Sequence, residues 1–337
     1  MKYDFSFLFS REEGVCQISL VLALSLALIL PGCSDSEVDS SARKNVWTRM
    51  SDFPGEARFE AQSFTINGKG YLVGGYSSNQ YNHYTSYRDV WEYNPDSDEW
   101  TRKNDVPGIF AIMKISVIDT KAYVFTQSTV QFWMYDPFND TWTRKADFPG
   151  GYRSSTSTFT IGGKMYVTCG REKIGPTYYN DAWEYDPVTD AWTQLADLLF
   201  GARYFSLACA TSQHGYLAYG YYNIDTLNEF LEYDPKIDTW KEKTPVPFPS
   251  FVFSSQTANA VTINDKPFIQ SISSENSKTL QLFEYDPAGD KWQQMSSLTY
   301  EYNGGMTMFS IQSFGYLVGG TIPNSHIFSN QVWRYEY

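Results

Sequence analysis

The chain has 337 residues, 26 Lys plus Arg against 38 Asp plus Glu, and a formal net charge of −12. That length can bury a sizeable core, while the acidity, with no dense run of Lys or Arg, excludes nucleic acid and anionic membrane surfaces as expected partners. Aromatic residues make up 18% of the chain, with 26 Tyr and 10 Trp, an excess that demands a repeated structural role.

The N-terminus reads as a separate segment. Ile18 to Leu30 is a run of apolar residues, too short to span a bilayer comfortably and of the length of a signal-peptide core. It ends in LPGC, residues 30–33, which resembles a bacterial lipoprotein signal with Cys33 as the lipidated residue. Pro31 stands where such signals carry a small residue, and the segment before the run is not basic, so an ordinary secreted protein is the alternative. Residues 1–32 are thus expected to be a signal peptide. Residues 33–45, polar and acidic, read as a flexible tether, and an acidic tract behind the lipidated Cys resembles the signal that sends some lipoproteins to the cell surface. The expected location is the outer membrane, held only through the lipid anchor, with a periplasmic or secreted protein as the alternative. Cys169 and Cys209 remain in the mature chain and are expected to be buried free thiols, since no spacing argues for a disulfide framework.

From residue 46 one pattern recurs. A hairpin comes first, as in TINGKGYLVGG (65–75) and TIGGKMYVTCG (160–170), where two apolar runs flank a tight-turn dipeptide. An alternating segment follows, as in DVWEY (89–93) and DAWEY (181–185), with the period of two that marks a strand. It runs into YNPDSDEW (93–100), YDPFNDTW (135–142), YDPVTDAW (185–192), YDPKIDTW (233–240) and YDPAGDKW (285–292). In that turn Asp or Asn caps through its side chain and Pro presets the backbone. Each unit therefore holds four strands, a to d, with Trp opening strand d and a period near fifty residues, which is the signature of a β-propeller.

These residues resemble the kelch repeat: Gly-Gly after strand b, Tyr-Asp-Pro after strand c and Trp on strand d. The pattern covers 46–337. The Gly-Gly stands at Gly74-Gly75 and Gly319-Gly320, degrades to Cys169-Gly170 and Tyr219-Gly220, and is missing in repeats 2 and 5. A WD-repeat propeller would need a shorter period and a terminal Trp-Asp. The expected fold is all-β, a six-bladed kelch-type β-propeller whose ring is closed by the N-terminal strand at 46–50 pairing with the C-terminal strands, which removes open sheet edges. Six strand-d Trp, each burying about 200 Å² for up to roughly 5 kcal/mol, are expected to wedge blade against blade.

Candidate site residues cluster on the face that carries the d–a and b–c loops. Arg58, Arg153 and Arg203 each stand eleven residues after a strand-d Trp, so three guanidinium groups at one equivalent position are expected at a common mouth, where their forks suit carboxylates. The alternative is that they cap loop carbonyls or pair with Glu56, Glu60 or Asp147. Tyr81, Tyr84, Tyr178, Tyr179, Tyr221 and Tyr222, on unusually long b–c loops, are candidates for stacking on sugar faces or for packing on one another. His83 and His326 fall on the b–c loops of blades 1 and 6, with His214 on the opposite face; no supporting ligand stands at metal spacing, so no metal and no cofactor are expected. Kelch chains are often connected with galactose oxidase, but the copper ligand set of that family has no match here. The expected function is a surface-anchored module that binds a glycan or another surface protein. The alternative is an enzyme: the resemblance extends to the N-acetylneuraminate mutarotases, six-bladed propellers that speed anomer exchange of sialic acid, and it implies a carboxylate-holding mouth with Glu60 or Glu172 for the proton step.

Overall fold

The computed structural model describes residues 44–81, 83–108, 113–126, 129–172, 175–247, 258–272, 278–301, 304–322 and 325–337. The expected signal segment, tether and Cys33 lie outside them, as do the equivalents of the arginine position at Ala111, Phe251 and Asn303. The described residues form six four-stranded antiparallel sheets, with one extra short strand in blade 5 and two small hairpins. The innermost strands, a, are Gln62–Ile66, Met113–Ile118, Ser157–Ile161, Leu207–Ala210, Asn259–Ile263 and Thr307–Ile311. They touch one another in that cyclic order around a central channel, the last returning to the first. Blade 6 takes its outer strand from the other end of the chain: Val46–Arg49 pairs with Val332–Glu336, Trp47 opposite Tyr335. The ring is closed as the sequence implies.

The core lies in the seams. Six clusters of buried residues each join two neighbouring blades, for example Phe64, Ile66 and Val73 of blade 1 against Ala122, Val124 and Tyr135 of blade 2. The strand-d Trp contribute less than expected. Only Trp240 is buried, at 7% exposure, and the other five are half-buried. The fully buried ring in each blade is the last Tyr of strand c: Tyr93, Tyr135, Tyr185, Tyr233, Tyr285 and Tyr335. Each has its neighbouring Trp within 4.7–5.2 Å, centroid to centroid. Trp opens an outer strand with one face toward solvent, whereas the Tyr ring points into the seam.

The spacing of Tyr, Asp and Trp has a second cause. In blade 3 the Tyr185 hydroxyl donates to Asp190 at 2.7 Å, and Asp190 also accepts the backbone N–H of Ala146 in the preceding blade at 3.0 Å. The same bridge recurs at Asp98, Asp140, Asp238 and Asp290. In the sixth blade Asn45 takes the part, accepting from Tyr335 and from the Ser296 amide. All six sit at φ between 48° and 54°, a conformation that Asp and Asn tolerate better than most residues. Four strand-d Trp add an indole N–H to a carbonyl of the same preceding blade. Each turn is therefore also a clamp between blades, and a charged hydrogen bond of this kind contributes about 1.5–3 kcal/mol.

Candidate functional site

The three arginines do not line the mouth, which corrects the expectation placed on them. Their side chains are 0–2% exposed. Arg58 forks onto Asp89 at 2.5 and 2.9 Å and donates to the carbonyls of Gly74 and Glu56, with the rings of Tyr87 and Phe53 on its two sides. Arg153 repeats this with Asp181, the carbonyls of Cys169 and Gly150, and the rings of Tyr179 and Phe148. Arg203 reaches Glu229 at 3.5 Å and the carbonyls of Tyr219 and Phe200. The reason is local: a buried guanidinium needs a carboxylate and several acceptors, and the start of strand c supplies the acid. These groups brace the d–a loop against the b–c loop. Capping of loop carbonyls was the alternative, and it holds with Asp89, Asp181 and Glu229 as the acids. In blade 6 Tyr300 does this work, donating to the Gly319 carbonyl.

What those braces hold is a kink. After strand b, the pairs Gly74-Gly75, Cys169-Gly170, Tyr219-Gly220 and Gly319-Gly320 all have positive φ, turning the b–c loop inward. The second position stays Gly because a Cβ on Gly170 would lie 2.9 Å from the Ser154 carbonyl oxygen, and one on Gly75 2.9 Å from that of Phe59. The kink pairs the next residue with the d–a loop: Phe59 with Tyr76, Ser154 with Arg171, Tyr204 with Tyr221 and Gly304 with Thr321. Two residues after each arginine, Glu60, Ser155 and Phe205 take φ of 53–59°, with Gly305 at the matching position of blade 6. An exposed Phe held there is strained, as residues at ligand sites often are.

This geometry redistributes the other candidates. Tyr179 is spent on Arg153. Tyr178, Tyr221 and Tyr222 gather around Tyr204, Tyr84 packs near Phe59, and Tyr81 is exposed beside His83. Ser78 of blade 1 contacts His326 of blade 6 at 2.9 Å, so ring closure brings those two loops together. Among the described residues no group of three His, Cys, Asp or Glu is placed to hold a metal, and no helix is long and apolar enough to cross a membrane. Cys169 and Cys209 are free and buried, and burial pushes their thiols up to about 11 and about 12.

At the end of the channel bounded by the d–a and b–c loops lies a cavity of about 360 Å³, lined by residues of all six blades. Its wall mixes small polar residues, among them Ser63, Ser154, Ser157, Asn259 and Thr307, with apolar ones such as Ile115, Leu207, Met306 and Met308, and its charged members are Glu60, Lys114 and Arg171. Arg171 is exposed and lies over the Tyr204 ring at 4.8 Å, with no ion-pair partner among the described residues. Burial pushes the Lys114 amine below the usual lysine value, with the nearby Glu60 charge opposing that shift. Burial, reinforced by Glu60, raises the Tyr76 hydroxyl to about 12, so it stays protonated. Two basic residues against one acid, in a protein of net charge −12, suit an anionic group, and the hydroxyls and amides suit a sugar. Sequence reasoning named Glu60 but missed Lys114 and Arg171. Lys114 is one polar position of a strand whose apolar residues are buried, with no signal of its own; Arg171 follows the kink directly, so its place after Cys169-Gly170 was the available signal.

The family model described as Kelch motif matches residues 57–107 and 152–199. The chain is similar to N-acetylneuraminate epimerase of Shigella boydii serotype 4 (strain Sb227) and to N-acetylneuraminate epimerase of Escherichia coli (strain K12). In each case 33% of residues are identical over a stretch of 66, which is 20% of this chain and 18% of the relative. The match thus spans less than a fifth of the length of these curated relatives.

Proposed function

This chain is a six-bladed kelch-repeat β-propeller, and we propose that it is a glycan-binding module that takes an acidic sugar at the channel mouth, anchored at the cell surface through a lipid on Cys33. The observation that carries the reading is the cavity itself: Arg171, with no ion-pair partner among the described residues, and Lys114, close to Glu60, in a wall where hydroxyls and amides alternate with apolar side chains and the rings of Tyr76 and Phe205. On the same face Arg58, Arg153 and Arg203 are paired with acids, which leaves Arg171 as the cavity guanidinium a ligand meets. Isothermal titration of the full-length chain in mild detergent with carboxylated sugars tests it. Binding that Arg171→Ala weakens at least about tenfold, the loss of one charged hydrogen bond, supports the module; equal binding by that variant sinks it.

A second reading is an N-acetylneuraminate epimerase-like enzyme. It is favoured by the name of the relatives, N-acetylneuraminate epimerase, and by Glu60 standing near a lysine of lowered proton affinity, a combination able to take and return a proton at a ring hydroxyl. Freshly dissolved single-anomer N-acetylneuraminic acid followed by NMR separates the two. Faster equilibration abolished by Glu60→Gln selects the enzyme, and an unchanged rate beside measurable binding selects the module.

A further inference from the structure

The four kinked blades are not spread evenly around the ring. Blades 3 and 6 carry matching bridges, Ser154 to Arg171 to Tyr178 in one and Gly304 to Thr321 to Phe328 in the other. Blades 1 and 4 carry matching mini-hairpins, Tyr76–Ser78 with Tyr84–Ser86 and Tyr221–Tyr222 with Asp225–Thr226. The seams agree in detail as well. Glu60 N–H donates to the Gly305 carbonyl where blade 6 meets blade 1, and Phe205 N–H donates to the Ser155 carbonyl where blade 3 meets blade 4; Gly320 to Arg58 and Gly170 to Arg203 repeat the correspondence. In a ring of six, these two seams lie three blades apart in either direction, on opposite sides of the channel.

Each seam builds an aromatic platform. At one, Phe59 and Phe328 stack at 5.5 Å and 11°, with Tyr84 beside them. At the other, Tyr204 and Tyr178 stack at 5.5 Å and 25°, with Tyr222 against Tyr178. The stacked pairs are the bases. Tyr84, 65% exposed, and Tyr222, 49% exposed, are the rings left open to solvent. No comparable aromatic stack joins blades 1 and 2 or blades 2 and 3 on this face among the described residues. Repeats 2 and 5, whose sequences lack the Gly pair, stand opposite each other in the ring.

We infer that the mouth is a two-platform site for an acidic oligosaccharide that spans the channel, one sugar ring against each platform and its carboxylates met by Arg171, beside the Tyr204 platform, and by Lys114 in the channel. Sugar rings match the exposed tyrosine faces, and the excess positive charge in the cavity matches a carboxylated chain. This deepens the glycan-binding reading and rests on it. A ligand that engages both platforms gains through effective concentration, while a single sugar reaches only one.

The test is titration of the full-length chain in detergent with oligosialic and oligogalacturonic acids of one to six units, alongside Tyr84→Ala, Tyr222→Ala and the ring-preserving Tyr84→Phe and Tyr222→Phe. The expected result is affinity that rises at least about tenfold once the chain reaches both platforms, with either Ala variant returning the hexamer to the affinity of the monomer and the Phe variants keeping the gain. Affinity that is flat with length, or a gain that only one of the two tyrosines controls, overturns the inference while the module reading stands. Failure of every carboxylated sugar to bind overturns both.

Discussion

Arg153→Ala separates a brace from a ligand contact. The side chain is 1% exposed, forks onto Asp181, donates to the Cys169 and Gly150 carbonyls, and lies between Tyr179 at 3.9 Å and Phe148 at 5.1 Å. Its removal strands Asp181, itself only 16% exposed, with the Trp183 indole N–H as a remaining donor, and leaves two loop carbonyls short of a partner. Breaking one side of a buried pair of this kind costs about 3–5 kcal/mol, which lowers the thermal midpoint by roughly 5–8 °C in a domain of this size. Arg153→Lys recovers only part, because an ammonium cannot fork across a carboxylate. Arg171→Ala, at an exposed position, is expected to leave stability within about 0.5 kcal/mol while weakening sugar binding. Scanning calorimetry and the sugar titration, run on both variants, read the two effects apart. An Arg153→Ala protein that melts like the wild type yet no longer binds would show that the guanidinium serves the ligand after all, and the assignment of the mouth to Arg171 would fall with it.

Deleting residues 44–52 removes the outer strand of blade 6 and the Asn45 clamp, and is expected to abolish the cooperative transition in calorimetry; an unchanged melting curve would contradict ring closure. Acid should destabilise the clamps. Burial disfavours the Asp98 charge, but hydrogen bonds from Tyr93 and Ser51 outweigh it and hold the carboxyl below its usual range; Asp190 and Asp290 are lowered likewise, and Asp136, paired with Lys121, falls to about 2. The unfolded chain therefore takes up protons first, so urea midpoints should fall from about pH 4 downward, and Asp190→Asn should flatten part of that slope. Lys114→Met should melt higher than the wild type, since it relieves a desolvated amine, and should bind acidic sugars less well. Because the folded amine loses its proton before the unfolded one, wild-type stability relative to this variant should rise with pH up to the ordinary lysine value near 10.5, and a constant difference would place Lys114 in solvent.

The fold was legible because its determinants are local and repeated. Tyr, Pro, Asp and Trp at constant spacing encode a turn whose partners lie within eight residues or one blade away, so five copies in the sequence suffice to define the unit and the sixth, with Asn45 in place of Asp, completes the ring. Burial within the unit was less legible. Both Tyr and Trp are large and aromatic, and the register pairs Tyr185 with Trp192 on one face of the sheet; Trp192 keeps a face in solvent because it stands on the outermost strand, while Tyr185 is one strand further in.

The arginines chosen from the sequence turned out to be buried braces, for a physical reason. A position equivalent in several blades is by that fact suited to a task each blade shares, and bracing a kinked loop is such a task; Arg58, Arg153 and Arg203 recur because the kink recurs. A ligand, by contrast, meets the ring where blades differ. Arg171 stands where blade 1 has Tyr76, blade 4 has Tyr221 and blade 6 has Thr321, and Lys114 belongs to the inner strand of a blade that lacks the Gly kink. Departure from the repeat, rather than conformity to it, is where the proposed chemistry of this face is sought, and the two repeats whose sequence lacks the Gly pair fall between the two opposed aromatic platforms.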